Sequence, residues 1–331
     1  MDSLAVGGAE RQGILCVAEL RKLGHSADLI YYHPKLEYGE MLDQLQIEPI
    51  YVAASSFVRR CRRLRSLFQE RNYDVVHGFK MAAEVYAALV GAWAGVPRRF
   101  GSFRSIYNLS SKYCLLHFLV DKLLDAWIVN SVIGADSMAR KTRISARKIV
   151  MLPNGVSAEM FATPLRAKDA KARLGLCESS VVVTMIARLE PGKNHRMLID
   201  AAAQVVGQAS KTTFLVVGKG SLERALRDYA SQRGLSSNMS FLGQRSDVVE
   251  ILAATDIAVM SSDFEGLPNS VIESMAAGKP LVCTSYPGYD QIIIPGSTAL
   301  ISPCGQADEF AENILRLILD QSLRSRLASN A

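Results

Sequence analysis

The sequence predicts an α/β protein made of two consecutive domains, residues 1–155 and 156–331, each a parallel sheet covered by helices on both faces. Short apolar runs alternate with amphipathic stretches along the chain, which is the rhythm of strand, helix and strand. The run Val-Val-Val-Thr-Met-Ile at 181–186 is almost entirely apolar, as expected of a strand buried on both faces. Between the two series, Pro153-Asn154-Gly155 combines residues that interrupt regular structure, so it marks the domain junction.

The elements of the first half follow from their apolar periodicity. Residues 15–23 have helical spacing and stop at Gly24, a residue that favours the left-handed conformation found at helix ends. Residues 81–94 form a second predicted helix, which is closed by Gly95-Val96-Pro97. The predicted strands of this half are 27–32, 50–53, 73–77, 99–102, 126–130 and 148–152.

The second half repeats the rhythm after the strand at 181–186. Its further predicted strands are 213–217, 239–242, 257–260 and 280–284. Its predicted helices are 195–206, 222–233, 247–254 and 268–277. Two Rossmann-like domains in tandem would face each other across a cleft, and α/β proteins bind ligands at the carboxyl edges of their strands.

Bulk composition limits the classes to which the chain can belong. Hydrophobic residues make up 49% and charged residues 21% of its 331 residues, which is typical of a globular protein. The six cysteines are scattered without a C-x-x-C pair, so we expect neither zinc nor a disulfide framework, and a cytoplasmic location fits best. The polar first ten residues do not resemble a signal peptide. The segment 113–129 is interrupted by charges and predicts a buried helix, not a membrane span.

The positive charge is concentrated in the first half. Residues 1–155 hold 21 Lys and Arg against 14 Asp and Glu, a balance of +7, whereas the remainder has a balance of −1. The densest run is Arg59, Arg60, Arg62, Arg63 and Arg65. It is either a solvated helix face or a patch that contacts anionic lipid at the inner face of a membrane. Nucleic acid is not an expected partner, because no aromatic residues interleave with these arginines.

The segment 263–273, Asp-Phe-Glu-Gly-Leu-Pro-Asn-Ser-Val-Ile-Glu, is the most informative in the chain. Pro268 suits the first turn of a helix that Gly278 would close, since a proline there loses no hydrogen bond. The peptide groups near this helix start could then receive an anion, and they belong to Gly266, Leu267, Asn269 and Ser270.

Two carboxylates frame that segment. Glu265 precedes the predicted helix and Glu273 lies on its second turn, so both could face one cleft at different depths. Carboxylates accept several strong hydrogen bonds at once, which suits the recognition of sugar hydroxyls. On this segment alone, a surface helix residue and a loop residue are equally good interpretations.

A pair of cations follows the strand at 181–186. The turn Ala187-Arg-Leu-Glu-Pro-Gly-Lys-Asn194 places Arg188 and Lys193 at the carboxyl edge of the same sheet. Arg188 could bind phosphate oxygens through its guanidinium fork, and Lys193 could supply a point charge. Alone, the turn would be read as two solvated cations, but beside a helix start it predicts a diphosphate site.

Two glycine motifs are weaker signals. Gly218-Lys219-Gly220 precedes a predicted helix, although a lone G-x-G is often only a tight turn. Gly7-Gly8-Ala9-Glu10-Arg11 leads towards the first helix and would form another loop rich in backbone N–H groups.

The order of these motifs resembles glycosyltransferase family 4, whose members have the GT-B fold of two Rossmann-like domains facing a cleft. The resemblance covers nearly the whole chain. Its motifs are D-S-L-A-V-G-G-A-E-R at 2–11, L-P-N-G-V at 152–156, A-R-L-E-P-G-K-N at 187–194, V-G-K-G at 217–220, F-L-G at 241–243 and the E-x7-E segment at 265–273.

The resemblance implies a role for each matching residue. Arg188 and Lys193 would bind the donor diphosphate, and Glu265 would meet the transferred sugar. Glu273 would bind the ribose hydroxyls, and Arg245 would border the nucleobase. The remaining implied donor contacts are Gly8, Gly218, Gly266, Leu267 and Asn269.

The resemblance also implies the reaction. We expect a retaining transfer from a UDP- or GDP-linked sugar to a glycan or lipid-linked acceptor, in the synthesis of a surface polysaccharide or glycolipid. We expect no cofactor and no metal, since protein cations would neutralise the leaving diphosphate. An NAD-dependent oxidoreductase is disfavoured because no G-x-G-x-x-G loop is followed by an acid at the next strand end.

The sequence departs from its relatives in three places. Where many relatives carry a histidine after an early strand, this chain has Arg104, which becomes a hypothetical phosphate or sugar contact. His77 is a second candidate, although a satisfied core histidine is the better interpretation. Only Met1 precedes the first motif and the chain stops at Ala331, so we expect truncation at both ends. A non-catalytic or truncated sugar-nucleotide-binding remnant is therefore the alternative.

Overall fold

The computed structural model describes residues 1–5, 7–104, 111–142, 144–161 and 165–331; Val6 of the first motif lies outside the described residues. The chain divides into two compact units, Met1–Gly155 and Val156–Ala331. Both are α/β units built on parallel sheets, so the predicted fold class is confirmed. In the described ranges, no helix combines the length and the apolar character needed to cross a membrane.

Unit 1, Met1–Gly155, contains two sheets. Its strands are β1 (Ile30–Tyr31), β2 (Ile50–Tyr51), β3 (Val75–Phe79), β4 (Arg98–Phe103), β5 (Ala126–Val129) and β6 (Ile149–Met151). Its helices are α1 (Gly8–Lys22), α2 (Gly39–Gln44), α3 (Phe57–Arg71), α4 (Met81–Ala94), α5 (Ser111–Asp121) and α6 (Val132–Thr142). Strands β3-β4-β5-β6 pair in that order and all run parallel, while β1 pairs with β2. Right-handed crossovers between sequential parallel neighbours put α4, α5 and α6 on one face.

Unit 2, Val156–Ala331, contains one sheet of six strands. They are β7 (Val181–Ile186), β8 (Thr212–Val217), β9 (Met239–Gly243), β10 (Ile257–Met260), β11 (Leu281–Thr284) and β12 (Ala299–Ser302). Its helices are α7 (Ala167–Arg173), α8 (His195–Gln208), α9 (Glu223–Gln232), α10 (Val248–Ala254), α11 (Asn269–Ala276), α12 (Ala307–Leu319) and α13 (Gln321–Asn330). The spatial order is β12-β11-β10-β7-β8-β9, all parallel. This is the doubly wound Rossmann order, in which the chain reverses direction across the sheet between β7 and β10.

The amino edge of this sheet is tied together by one buried lysine. Lys171 of α7 donates from Nζ to a carboxylate oxygen of Asp256 and to the carbonyl oxygen of Ser180, both at 2.8 Å. The same Asp256 oxygen accepts the backbone N–H of Val182 at 2.8 Å. Since Asp256 immediately precedes β10 and Val182 lies in β7, these bonds help set the register of the two central strands.

The V-G-K-G motif has a packing explanation. The backbone N–H of Ala187 donates to Val217 at 2.9 Å, and that of Leu189 donates to Lys219 at 3.0 Å, so the loops after β7 and β8 run side by side. A Cβ at Gly218 would overlap the carbonyl oxygen of Ala187, and one at Gly220 would overlap that of Leu189. Gly218 also has φ +141°, a conformation that side chains rarely adopt.

Three expectations about elements were wrong. Helix α1 begins at Gly8, so Gly8 to Arg11 are helical instead of forming a loop; Glu10 in the first turn complements the helix dipole. The segment 113–129 is not one buried helix, because α5 ends at Asp121 and β5 begins at Ala126, and several apolar residues of α5 are exposed. Pro268 precedes α11 as its N-cap instead of lying in its first turn.

We predict opposite effects for two glycine-to-alanine substitutions in unit 2. Gly218→Ala should lower the free energy of unfolding by about 2 kcal/mol or more, because it adds strain at positive φ to a steric overlap. Gly207→Ala, in open space within α8, should raise it by about 0.5–1 kcal/mol. Urea unfolding of the full chain measures both, and equal effects would contradict the packing explanation.

Candidate active site

The carboxyl edge of the unit 2 sheet brings two predicted segments together. The loop after β7, residues 187–194, and the loop after β10, residues 261–268, leave adjacent central strands at the point where strand order reverses. Ligands of doubly wound sheets bind in the crevice at this position. The predicted cations and the first predicted carboxylate therefore share one site through strand pairing alone.

Lys193 and Glu265 meet directly at this crevice. The Nζ atom of Lys193 donates to Oε1 of Glu265 at 2.5 Å. The side chains are only 13% and 9% exposed, so both charges are largely removed from water. Such a pair gains little net stability, because desolvation offsets much of the attraction. The sequence predicted both residues for the site but not their contact.

The two loops are fastened to each other by backbone and side-chain hydrogen bonds. The N–H of Asp263 donates to the carbonyl oxygen of Gly192 at 3.0 Å. The hydroxyl of Ser261 donates to the carbonyl oxygen of Lys193 at 2.9 Å. Asn194, held at φ +48°, donates from its amide to Asp263 at 3.0 Å and caps α8. This frame fixes the backbone on both sides of the ion pair.

Sequence reasoning missed two buried hydroxyl residues that complete the frame. Ser262 donates from Oγ to Oε1 of Glu265 at 2.7 Å, so that oxygen accepts from both Ser262 and Lys193. Thr284, at the end of β11, donates in turn to the carbonyl oxygen of Ser262 at 2.5 Å. The available signal for Ser262 was the pair of hydroxyl residues Ser261-Ser262 directly after the wholly apolar strand β10.

Arg188 differs from Lys193 in its surroundings. Its side chain is exposed, and its guanidinium makes no hydrogen bond or ion pair with any residue in the described part of the chain. His195 adds no further cation at neutral pH. It is buried, and burial, followed by the charge of Lys193, lowers its pKa to about 4. Arg188 is thus an accessible guanidinium beside a lysine that already has a partner.

The second predicted carboxylate is buried. Glu273 lies on α11 and is 3% exposed, so its interpretation as a surface helix residue is wrong. Leu267 is buried and Gly266 half-buried in the turn before α11, and Asn269 is the first residue of that helix. Their implied roles in donor binding stay predictions.

Arg245 is committed to a neighbouring acid. Its guanidinium donates to both carboxylate oxygens of Asp247, at 2.7 and 2.5 Å. The hydrogen bond with Arg245 holds the pKa of Asp247 below its usual range.

In unit 1, the structure places Arg104 directly after β4 and His77 within β3. The Nε2 atom of His77 lies 2.6 Å from Oγ of Ser102, and burial, followed by the charge of Arg104, lowers the His77 pKa to about 3. His77 is therefore a neutral, hydrogen-bonded histidine, as predicted. In the ranges that the structure describes, no group of three His, Cys, Asp or Glu could hold a metal ion.

Family models match both halves of the chain. The model described as Glycosyltransferase Family 4 matches residues 6–160, and the one described as Glycosyl transferases group 1 matches residues 167–331. The chain belongs to glycosyltransferase family 4. This agrees with the site geometry, in which family motifs at 187–194 and 265–273 meet at one sheet edge.

Two curated relatives of this glycosyltransferase are themselves named as glycosyltransferases. It is 27% identical over 271 residues to an Escherichia coli UDP-Gal:alpha-D-GlcNAc-diphosphoundecaprenol alpha-1,3-galactosyltransferase, with 78% of this chain and 70% of the relative covered. It is also 27% identical over 328 residues to a Campylobacter jejuni N,N'-diacetylbacillosaminyl-diphospho-undecaprenol alpha-1,3-N-acetylgalactosaminyltransferase, with 90% and 84% covered.

Solved structures show the same fold. Anabaena HepE in complex with UDP-glucose superposes with a TM-score of 0.88 at 21% identity, covering 100% of this chain and 91% of HepE. A glycosyltransferase from Rickettsia africae gives a TM-score of 0.82 at 18% identity, covering 99% and 90%. The glycosyltransferase described above therefore has the GT-B fold.

We predict strong energetic coupling between Lys193 and Glu265. In a double-mutant cycle of Lys193→Met and Glu265→Gln, measured by urea unfolding, the coupling should be about 2 kcal/mol or more, because each single change leaves a buried partner unpaired. The matched control is the exposed pair Arg227 and Glu223 on α9, for which about 0.5 kcal/mol is expected. Similar coupling energies in both pairs would contradict the inference that the Lys193–Glu265 pair is largely removed from water.

Proposed function

We propose that this glycosyltransferase transfers a hexose from a UDP- or GDP-linked sugar, with retention of anomeric configuration and without a metal ion. The observation that carries the proposal is the Lys193–Glu265 contact at the reversal point of the unit 2 sheet, beside the accessible guanidinium of Arg188. A cationic side chain that would bind the diphosphate is therefore hydrogen-bonded to a carboxylate that would bind the sugar.

The cations would bind the diphosphate in two different ways. Lys193 can donate three hydrogen bonds, and Glu265 accepts one of them, so two remain for phosphate oxygens. Arg188 would add a planar fork that fits two phosphate oxygens at once. As the bond from C1 of the sugar to the diphosphate breaks, negative charge grows on the leaving oxygen, and these groups would stabilise it. This is the reason for proposing that no divalent cation is needed.

Glu265 would orient the transferred sugar. Its Oε1 atom already accepts from Lys193 and Ser262, which leaves Oε2 for sugar hydroxyls. Because Lys193 and Ser262 hold the carboxylate, it is a poor covalent nucleophile. We therefore propose attack by the acceptor oxygen on the face that the diphosphate leaves, with the acceptor proton passing to the departing phosphate oxygen. The new bond then has the configuration of the old one.

The acceptor is proposed to be a glycan or a lipid-linked sugar. Support comes from the Escherichia coli and Campylobacter jejuni relatives, whose names both specify acceptors on diphosphoundecaprenol. Such acceptors stay in a membrane, so the enzyme must reach its surface at the inner face. The charge of +7 on residues 1–155 would favour anionic lipid there.

Unit 1 carries a surface with suitable chemistry. Helix α3 packs on α4 and α4 packs on α5, and each exposes apolar residues. These exposed residues are Phe57 and Val58 of α3, Leu89 and Trp93 of α4, and Leu115, Phe118 and Leu119 of α5. Basic groups accompany them, since Arg65 lies over the Trp93 ring at 4.6 Å and Lys122 over the Phe118 ring at 5.9 Å. We propose that this surface contacts the membrane.

We predict that one nucleoside-diphosphate sugar stabilises the full chain in a thermal-shift panel of UDP- and GDP-linked sugars. Arg188→Gln should weaken its binding about 10- to 100-fold, through loss of charge-assisted hydrogen bonds. Glu265→Gln should lower kcat about 100-fold. The control is Arg224→Gln, an exposed arginine on α9 of the same unit.

Three outcomes of the binding and transfer measurements would contradict the proposal. Absence of binding by every UDP- and GDP-linked sugar would exclude the proposed donor class. Transfer that EDTA abolishes would exclude the metal-free mechanism, and a product with inverted configuration by NMR would exclude retention.

We predict weaker vesicle binding for the Leu115→Ser/Leu119→Ser variant. In co-sedimentation with phosphatidylglycerol vesicles, its affinity should fall about 10-fold or more, because two leucines no longer enter the interface. Leu319→Ser removes an exposed leucine from unit 2 and should bind like the parent chain. Equal binding of all three proteins would exclude this surface.

A further inference from the structure

Polar residues follow the strands of the four-stranded sheet in unit 1. Lys80 comes directly after β3, Arg104 after β4 and Asn130 after β5, and Asn154 lies three residues beyond β6. Because parallel strands end at one edge, these side chains gather there. Two hydrogen bonds confirm this for three of the residues. Nη1 of Arg104 donates to Oδ1 of Asn154 at 2.9 Å, and Nδ2 of Asn130 approaches the same oxygen at 3.4 Å.

Arg104 is held in place without an acid. Its guanidinium carbon lies 4.8 Å from the centre of the Phe79 ring, and its hydrogen-bond partner Asn154 is neutral. By contrast, Lys80 forms an ion pair with Glu10, and Arg98 at the other end of β4 pairs with Asp125 at 3.3 Å. Arg104 has no carboxylate partner in the described part of the chain.

The remaining residues cannot supply the missing acid. Positions 6, 105–110, 143 and 162–164 contain neither Asp nor Glu. The Nε atom of Arg104 is buried and has no hydrogen-bond partner among the described residues. Burial lowers the Arg104 pKa to about 10, which still leaves the guanidinium charged at neutral pH.

An unneutralised, desolvated charge costs free energy in the folded protein. A ligand with negative charge would recover that cost on binding. A guanidinium presents its N–H groups as a planar fork, which matches the oxygens of a phosphoryl group. The amide of Asn130 adds a neutral donor that suits the same oxygens, and the Asn154 side chain holds the guanidinium in place.

We propose that Arg104, with Asn130 and Asn154, is a seat for a phosphoryl group in unit 1. The proposal rests on the proposed function for the source of that group, which is either the donor diphosphate or a phosphate carried by the acceptor. Phosphate binding itself can be measured without any transfer reaction.

The first test is a thermal-shift titration of the full chain with inorganic phosphate, on an Arg188→Gln background that weakens phosphate binding in unit 2. Arg104→Met should weaken phosphate binding about 10- to 100-fold. Arg98→Gln removes an equal charge from the other end of β4 and should leave binding unchanged. Acetate at equal concentration and ionic strength should give no stabilisation.

The melting temperature without ligand distinguishes a phosphate-binding role of Arg104 from a purely structural role. Without ligand, Arg104→Met should melt at the same temperature as the Arg188→Gln parent or higher, because an unneutralised charge is gone. Should Arg104→Met fail to fold, Arg104→Lys keeps the charge without the fork and should show intermediate phosphate affinity. Unchanged phosphate affinity in the folded Arg104 variants, or equal stabilisation by acetate, overturns the proposal.

Binding measurements with UDP and GDP identify the source of the phosphoryl group. If the donor supplies it, Arg104→Met weakens nucleotide binding about 10-fold or more, and saturating nucleotide abolishes the Arg104-dependent phosphate effect. If the acceptor supplies it, nucleotide affinity is unchanged and the phosphate effect persists under saturating nucleotide. Phosphate binding through Arg104 in a chain that binds no nucleotide sugar would support the seat while refuting the proposed function.

Discussion

The parallel pairing of β7 with β10 is the constraint on which the candidate active site depends. These strands are separated by some seventy residues of sequence, yet Ile257 pairs with Val183 and Ala258 with Thr184. The register is reinforced at the amino edge by Asp256, which binds both Lys171 and the backbone of Val182. With the strand starts aligned, the loops that follow must emerge together at the carboxyl edge, and Lys193 meets Glu265 there. The geometry of the site is therefore a consequence of sheet topology.

The ion pair at that edge adds little net stability to the fold. The side chains of Lys193 and Glu265 are 13% and 9% exposed, so both charges have lost most of their hydration. Their mutual attraction offsets only part of the free energy of desolvation. The surrounding hydroxyls of Ser261, Ser262 and Thr284 donate hydrogen bonds to backbone carbonyl oxygens and to one carboxylate oxygen. A preorganised polar site of this kind needs no rearrangement when charge develops on a bound substrate. Tight loop packing at Gly218 and Gly220 supports the same rigidity.

Unit 1 uses the edge of its sheet differently. Its strand ends carry a lysine neutralised by Glu10 and an arginine whose hydrogen-bond partner among the described residues is the amide of Asn154. The adjacent histidine is neutral because it is buried near the Arg104 charge. Each sheet edge therefore carries one lysine–glutamate pair and one arginine without a carboxylate partner among the described residues, but Arg188 of unit 2 is exposed whereas Arg104 of unit 1 is half-buried. Such a difference is expected when function resides in side chains placed on a common fold.

The sequence by itself determined the α/β class, the elements with strong apolar periodicity and the motifs of the family. These are local properties, and β7, β10 and α4 have the predicted bounds because their apolar runs are bracketed by clear breakers. Sequence periodicity could not show that α1 begins at Gly8 or that α5 exposes an apolar face, since both depend on what packs against each helix. It named Lys193, Glu265, Glu273 and Arg104 but not their environments. Only the tertiary structure decided that Lys193 contacts Glu265, that Glu273 is buried and that Arg104 has no carboxylate partner among the described residues, because burial and pairing arise between segments far apart in the chain.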